Sequence, residues 1–212
     1  IGGFTSQLNS WAMAATPSFG ASRVNAICVS ERLSLLVAVG EFGEIAYSSD
    51  GNTWVQAATP SFGSTEITSV CWADALGVFI AVAVSGKIAY SSDGNTWVQS
   101  SNSSVFNYSM RSVCWAEEIG VAVCVGDTGV LYSRDGNIWF DAGTPFGSAS
   151  ARRSICWANS LEKFVCVGNS GKISYSPDGI TWTDATTPSF GTDTIFCVAW
   201  SENLGQLVAS GY

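Results

Sequence analysis

The sequence predicts an all-β fold built from repeated four-stranded units, and three observations carry this prediction. Tryptophans recur at intervals of 43, 43, 42 and 43 residues, at Trp11, Trp54, Trp97, Trp139 and Trp182. The composition is 47% hydrophobic with 22 glycines, which is typical of packed strands joined by tight turns. No capping box precedes an apolar run of helical period. A period near 43 residues indicates the blades of a β-propeller.

One repeat shows the four strands in order. Ile67–Ala73 reads as the first strand, and Val78–Val84 is a nearly continuous apolar run suited to burial on both faces. The third strand follows a glycine turn in SGKIAYSS, and TWVQS supplies the fourth. A second tryptophan series marks the first strands of the later units, at Trp72, Trp115, Trp157 and Trp200. Val29 occupies the equivalent position in the first unit.

Five such units account for the 212 residues. The C-terminal end holds only the first two strands of a unit, and the N-terminal end aligns with the third and fourth. We therefore expect a single closed five-bladed propeller in which the two ends pair, since closure protects sheet edges. The blades are expected near 17–58, 59–101, 102–143, 144–186 and 187–212 plus 1–16. An excised piece of a larger propeller is the alternative.

The decapeptide YSSDGNTWVQ occurs at Tyr47–Gln56 and Tyr90–Gln99, with looser copies starting at Tyr132 and Tyr175. An aspartate opening a tight turn accepts backbone N–H groups, glycine adopts a positive φ, and tryptophan buries a large surface. The predicted role is therefore structural, with serine bracing the carboxylate. The residues concerned are Ser48, Asp50, Gly51, Trp54, Ser91, Asp93, Gly94, Trp97, Ser133, Asp135, Gly136, Trp139, Ser176, Asp178, Gly179 and Trp182.

These copies resemble the Asp-box of BNR-like repeat propellers, such as sialidases and sortilin-type receptors, although each is one residue shorter than the usual form. A fifth copy, TSQLNSW from Thr5, lacks the aspartate and the glycine. The complete repeat also resembles repeats in proteins of large DNA viruses and bacteriophages. The resemblance implies the propeller fold over the whole chain.

Composition argues against several functions. The formal net charge is −8 with only nine Lys and Arg, which disfavours nucleic acid as a partner. No uninterrupted apolar stretch reaches about 18 residues, so no membrane insertion is expected. The chain has no histidine, the commonest general base and metal ligand, and it lacks the arginine cluster that the sialidase resemblance would require. We expect no catalytic residue, no metal and no cofactor, and hence no enzyme.

Seven cysteines leave their chemistry open. Cys28, Cys71, Cys114 and Cys156 occupy the same place in successive units. Cys114 and Cys156 each lie ten residues before another cysteine, Cys124 or Cys166, which could face it across a hairpin. Buried free thiols are the favoured interpretation, and disulfides the alternative.

Side-chain differences between the copied units concentrate in two loop series that share one face. One series joins each unit to the next, and the other joins second to third strands. Variation on one face of a copied scaffold is typical of a recognition surface, with neutral drift as the alternative. The candidate ligand-binding residues are Glu41, Glu66, Arg111, Asp127, Arg152, Asn169 and Asp193, and Arg23, Ser85 and Tyr212 complete the two series.

These observations favour a non-catalytic binding or adhesion module. Five-bladed propellers of similar size, the tachylectins, bind amino sugars, so lectin-like recognition on a virion or an extracellular surface is expected by analogy of fold. Its partner would be a glycan or a protein on a surface. A purely structural component that self-associates in a virion, fibre or surface layer is the alternative. The repeated phenylalanine is expected to wedge between units rather than stack on a sugar, at Phe19, Phe62, Phe146 and Phe190.

Overall fold

The computed structural model describes residues 19, 22–58, 61–102, 106–143, 151–186 and 190–212. Within these ranges the regular structure consists of strands and 3-10 turns, and no helix there is long and apolar enough to cross a membrane. The strands are β1 Val24–Ser30, β2 Leu35–Gly40, β3 Ile45–Ser48, β4 Val55–Gln56, β5 Ile67–Ala73, β6 Val78–Ala83, β7 Ile88–Ser91, β8 Val98–Gln99, β9 Met110–Ala116, β10 Val121–Gly126, β11 Val130–Ser133, β12 Phe140–Asp141, β13 Arg152–Ala158, β14 Lys163–Gly168, β15 Ile173–Ser176, β16 Thr183–Asp184, β17 Ile195–Ser201 and β18 Gln206–Gly211.

The strands form four antiparallel sheets of four strands and one of two strands, β17–β18. Each sheet follows chain order, and we call the sheets blades 1 to 5. The prediction of an all-β chain of repeated four-stranded units is confirmed in this form. The expected second strand ends one residue early, at Ala83, because Val84 begins a 3-10 turn.

The core lies between successive blades. The first strands β1, β5, β9, β13 and β17 pack side by side in that order. The second strands of blades 1 to 4 are largely buried, and all six residues of β10 are buried, as a strand covered on both faces should be. Phe62 is 1% exposed in the cluster between blades 1 and 2, which agrees with a wedge; Phe146 lies outside the described residues.

The two ends of this series carry exposed apolar surface. Ile27 of β1 is 57% exposed, whereas the residues at the same place in blades 2 to 5 are 5–7% exposed, at Val70, Val113, Ile155 and Val198. On blade 5, Phe196 and Val208 are 46% and 58% exposed. Among the described strands, β17 does not pack extensively on β1. The expected pairing of residues 1–16 with β18 lies outside the described residues.

The decapeptide turns have the same hydrogen bonds in all four described copies. In blade 1, the carboxylate of Asp50 accepts the backbone N–H groups of Asn52 and Thr53 at 2.8 and 2.7 Å, and the Ser48 hydroxyl lies 3.0 Å from it. Gly51 has φ of 73°. The indole N–H of Trp54 donates to the Gly51 carbonyl at 3.1 Å. Each carboxylate is therefore occupied in closing its own hairpin.

All seven cysteines are free thiols. In blade 3, Cys124 pairs across the ladder with Val113, and Cys114 pairs with Val123. Because neighbours along a strand point to opposite faces of the sheet, Cys114 and Cys124 cannot bridge. Burial raises the pKa of Cys114 to about 12, so it behaves as a small apolar side chain.

Candidate functional site

The start of each first strand and the end of each second strand meet at one edge of the blade. In blade 3, the Asp127 amide donates to the Ser109 carbonyl at 3.0 Å, just beyond the end of β10. A Cβ on Gly126 would lie 2.3 Å from the same carbonyl oxygen, so glycine allows this close approach. We call this edge the loop face. It comprises residues 22–25, 41–44, 66–68, 84–87, 108–111, 127–130, 151–153, 169–172, 193–196 and 212.

Each first strand carries a β-bulge at its second residue. The ladder of blade 3 pairs Met110 with Gly126 and then Ser112 with Val125, which leaves Arg111 without a ladder partner. The same register shift occurs in every blade, so one bulged residue per blade stands on the loop face, at Asn25, Thr68, Arg111, Arg153 and Phe196. Bulges redirect side chains and are common beside functional sites.

In blade 3 the bulged residue forms an ion pair with the residue that follows the second strand. Arg111 donates from Nε to Asp127 Oδ1 at 2.9 Å and from Nη2 to Oδ2 at 2.7 Å. Both side chains are about one-third exposed. The guanidinium lowers the pKa of Asp127, and the carboxylate raises the pKa of Arg111. The two predicted candidates thus form one bidentate unit.

In blade 4 the two adjacent arginines have different environments. Arg153 is the bulged residue, and its Nε donates to Asn169 Oδ1 at 2.9 Å. Arg152 is fully buried, with Nη1 3.4 Å from the Asp127 carbonyl oxygen. Burial lowers the pKa of its guanidinium. Arg152 therefore lies beneath the loop face and is not available at its surface.

Between blades 1 and 2, four polar side chains form one cluster. Arg23 Nη2 lies 3.1 Å from Glu41 Oε1 and 3.0 Å from Glu66 Oε1. The Asn25 amide donates to the same Glu66 oxygen at 3.1 Å and to the Ile67 carbonyl at 2.8 Å. The cluster joins the predicted Glu41 and Glu66 across two blades.

Blade 5 presents aromatic rings at the corresponding place. Phe196 and Tyr212 pack edge to face with ring centroids 5.1 Å apart, and Tyr212 is 87% exposed. The predicted Asp193 is exposed, and its carbonyl accepts the Gly171 amide. Asp193 therefore belongs to the same surface through its backbone.

Sequence reasoning missed four of the five bulged positions, all except Arg111, and misplaced Ser85 in the second loop series. Asn25 and Arg153 were not candidates, although a step of 42 from Arg111 leads to Arg153. Ser85 was placed in the series of Glu41 and Asp127. In the structure, Val84 and not Ser85 occupies the position equivalent to Glu41 and Asp127. The residue at this position donates its backbone amide to the loop before the first strand, and in blade 2 the Val84 amide donates to the Glu66 carbonyl at 3.1 Å. Ser85 is the next residue, at φ 62°.

Charged side chains of neighbouring blades influence one another along the loop face. Glu66 of blade 2 raises the pKa of Arg111 in blade 3, and Arg153 of blade 4 lowers the pKa of Asp127, although the Arg111–Asp127 pair itself has the larger effect on both. Within the described ranges, no group of three or more Cys, Asp or Glu side chains is placed to hold a metal ion. The arrangement presents a row of fixed donors and acceptors.

Comparison with known proteins places the fold. No family model and no curated protein sequence matches this chain. A streptogramin B lyase structure aligns over 93% of this chain and 70% of its own, with a TM-score of 0.72 and 11% identity. A structure of a nidogen/laminin complex aligns over 91% of this chain and 73% of its own, with a TM-score of 0.66 and 11% identity. A structure of YCF48 bound to D1 peptide aligns over 94% of this chain and 77% of its own, with a TM-score of 0.52 and 14% identity. These similar structures are β-propellers, and the chain shares that fold.

Proposed function

We propose that this chain is a non-catalytic binding module that uses the loop face to recognise a surface-exposed polypeptide segment. The observation that carries this proposal is the set of bulged residues. The scaffold is copied from blade to blade, yet the bulged position carries in turn an amide, a hydroxyl, two guanidiniums and an aromatic ring. A pattern of different groups at one repeated position can read a sequence of different groups on a partner.

A polypeptide is favoured over a glycan by the distribution of aromatic rings. A lectin with one site per blade would present exposed rings at equivalent positions. Phe42 is 66% exposed, but serine stands at its place in blades 2 and 4, as Ser85 and Ser170. The similar structures also include a nidogen/laminin complex and YCF48 bound to D1 peptide.

The directions in which the environment shifts the carboxyl pKa values support a role without catalysis. Every carboxyl group of the described residues with a shifted pKa has it lowered, as at Asp127 beside Arg111. A general acid at neutral pH needs a raised carboxyl pKa instead. Streptogramin B lyase shows that enzymes also use this fold, so the proposal rests on these side chains and not on the fold.

We further propose that the molecule is a closed five-bladed ring of the Asp-box type. Blade 1 exposes the face that blades 2 to 5 bury against the preceding blade. Blade 5 exposes the other face of its sheet, the one that blades 1 to 4 turn toward the following blade. Residues 1–16 would add the third and fourth strands to β17–β18, and blade 5 would then pack on blade 1. An extracellular or virion surface is the proposed location.

The binding proposal can be tested with a displayed library of random peptides and a glycan array, each probed with the purified chain. We expect the library to yield peptides that bind the chain. Their affinity should fall at least about tenfold in Asp127→Ala, because this substitution removes one half of the bidentate Arg111–Asp127 pair on the loop face. Glu162→Gln, far from the loop face, serves as the control. Array binding competed by free sugar would instead support a lectin. If neither peptides nor glycans bind and the chain assembles in a concentration-dependent way, the result would support a structural component that self-associates.

A further inference from the structure

The edge of the blades opposite the loop face carries a cavity of about 380 Å³. It lies where the first strands end, beside the turns to the second strands. The cavity is lined by three indoles of central blades and by Trp200 of blade 5, together with cysteines and valines of the same strands. Its size falls within the range of about 300–1,000 Å³ typical of ligand sites. We call this edge the turn face, comprising residues 31–34, 49–54, 74–78, 92–97, 117–120, 134–139, 159–163, 177–182 and 202–205.

Three of the indoles that line this cavity each donate to a carboxylate that lies next to the cavity, outside its lining. The Trp72 N–H donates to Asp74 Oδ1 at 2.9 Å, and the Trp157 N–H donates to Glu118 Oε2 at 2.7 Å. The Trp115 N–H donates to Glu117. Each carboxylate has acceptor sites beyond the one used by its indole. The mouth therefore combines aromatic walls with oriented negative groups.

These carboxylates also join neighbouring blades. Glu118 of blade 3 receives the indole of blade 4. The Ser160 hydroxyl of blade 4 donates to Glu202 Oε2 of blade 5 at 2.6 Å, and this bond is the main cause of the lowered pKa of Glu202. The rim is thus a connected ring segment and not a set of free surface side chains.

The turn face also holds nearly all of the net charge. It carries ten carboxylates and three cations, a formal −7 out of the total −8. The loop face and adjoining strands carry the remaining seven carboxylates and six cations. The three turn-face cations are Arg32, which donates to the Asp74 carbonyl at 3.1 Å, Arg134, which donates to the Ile119 carbonyl at 3.3 Å, and Lys163, which lies 5.1 Å from the Tyr175 ring centroid.

We propose that this cavity binds a lysine or arginine side chain of a basic polypeptide segment. Indole rings attract organic cations, and the attraction is stronger where the cation is desolvated. The fixed carboxylates would pair with the bound cation, and the wider acidic face would pair with flanking cations. A polypeptide is specified because the negative charge extends well beyond what one small cation could neutralise.

The test uses a short fluorescein-labelled peptide of alternating lysine and glycine, with a glutamate–glycine peptide as its counterpart, and fluorescence anisotropy on the full chain. We expect salt-sensitive binding of the basic peptide alone. Glu118→Gln and Trp115→Leu should each weaken it roughly 3- to 10-fold. Glu162→Gln removes the same charge from the same face at a residue that is not among the carboxylates bonded to the lining indoles, and it should weaken binding less than about twofold. Asp141→Asn, in β12 and outside the turn face, should leave it unchanged.

Several outcomes would overturn the site. No binding of the basic peptide at low salt is one. Equal losses in Glu118→Gln and Glu162→Gln would show attraction to charge alone. Free alkylammonium competing as tightly as the peptide would indicate a small cation in place of a polypeptide. If Trp115→Leu does not fold by near-ultraviolet circular dichroism, Trp115→Phe replaces it and should cause a smaller loss of binding, because a phenyl ring attracts cations less than an indole. Unchanged binding in both Glu118→Gln and Trp115→Phe refutes the site.

Discussion

Ile27 gives a direct measure of ring closure, through the substitution Ile27→Ala and its matched control Ile155→Ala. Both residues occupy the fourth position of a first strand, and they are 57% and 5% exposed in the described structure. Truncating a buried isoleucine to alanine costs about 2–5 kcal/mol, from lost burial and the cavity left behind. At an exposed strand position the cost is below about 1 kcal/mol, mainly from strand propensity.

Closure would bury Ile27 against blade 5, as Ile155 is buried against blade 3. We therefore expect both variants to lose about 2–4 kcal/mol of unfolding free energy. The measurement is urea unfolding followed by tryptophan fluorescence, with unchanged m-values showing that the unfolded states are comparable. A loss below about 1 kcal/mol at Ile27, beside a loss above about 2 at Ile155, would refute closure.

A second copy could also bury Ile27, and dilution separates the two cases. Closure within one chain predicts an Ile27→Ala cost that is independent of protein concentration, with a monomeric mass by light scattering. A cost that shrinks on dilution would indicate association between chains and would count against the closed ring.

Three further outcomes are expected. Cys197 is exposed in the described structure; closure predicts that it reacts with a thiol reagent only after unfolding, and rapid labelling of the native protein would contradict this. The pKa of Asp50 is lowered to about 2, chiefly by the Thr53 N–H. The stabilisation that its ionised carboxylate provides is therefore present above about pH 4 and is lost between about pH 4 and 2. Over that pH range, the urea midpoint of Asp50→Asn should decrease less than that of the parent chain. A double-mutant cycle on Arg111 and Asp127 should give a coupling of about 0.5–1 kcal/mol, as for a partly exposed bidentate pair, and no coupling would show that the pair does not hold in solution.

The sequence predicted the strands and their grouping because the repeat is nearly copied. Ile67–Ala73 was assigned to its final boundaries, since turn residues and apolar runs mark the ends of short strands. The hydrogen-bonded turn at Asp50 could likewise be anticipated from its residue types. Local chemistry determines both features, so no knowledge of distant contacts was required.

The loop face could not be predicted at the level of single residues because it depends on register. Arg152 and Arg153 are adjacent in the chain, and only the bulge determines that Arg152 enters the core while Arg153 reaches the surface. A shift of one residue reverses the direction of every side chain in a strand. The same one-residue ambiguity separates Ser85 from Val84. Bulges arise from pairing with the second strand, which composition does not reveal.

The turn face shows which acidic residues the fold itself requires. Four of its ten carboxylates belong to the decapeptide turns, where backbone N–H groups of the same hairpin occupy them. The other six lie in turns between first and second strands, where the hairpins do not need a carboxylate: the first residue of that turn is Asp74 in blade 2 but Asn159 in blade 4. Gathering uncompensated negative charge on one edge costs free energy by self-repulsion. Four of these six carboxylates accept hydrogen bonds from indoles or from a neighbouring blade, which fixes their positions. The Glu118→Gln and Glu162→Gln comparison tests whether such fixed carboxylates also bind a positively charged partner.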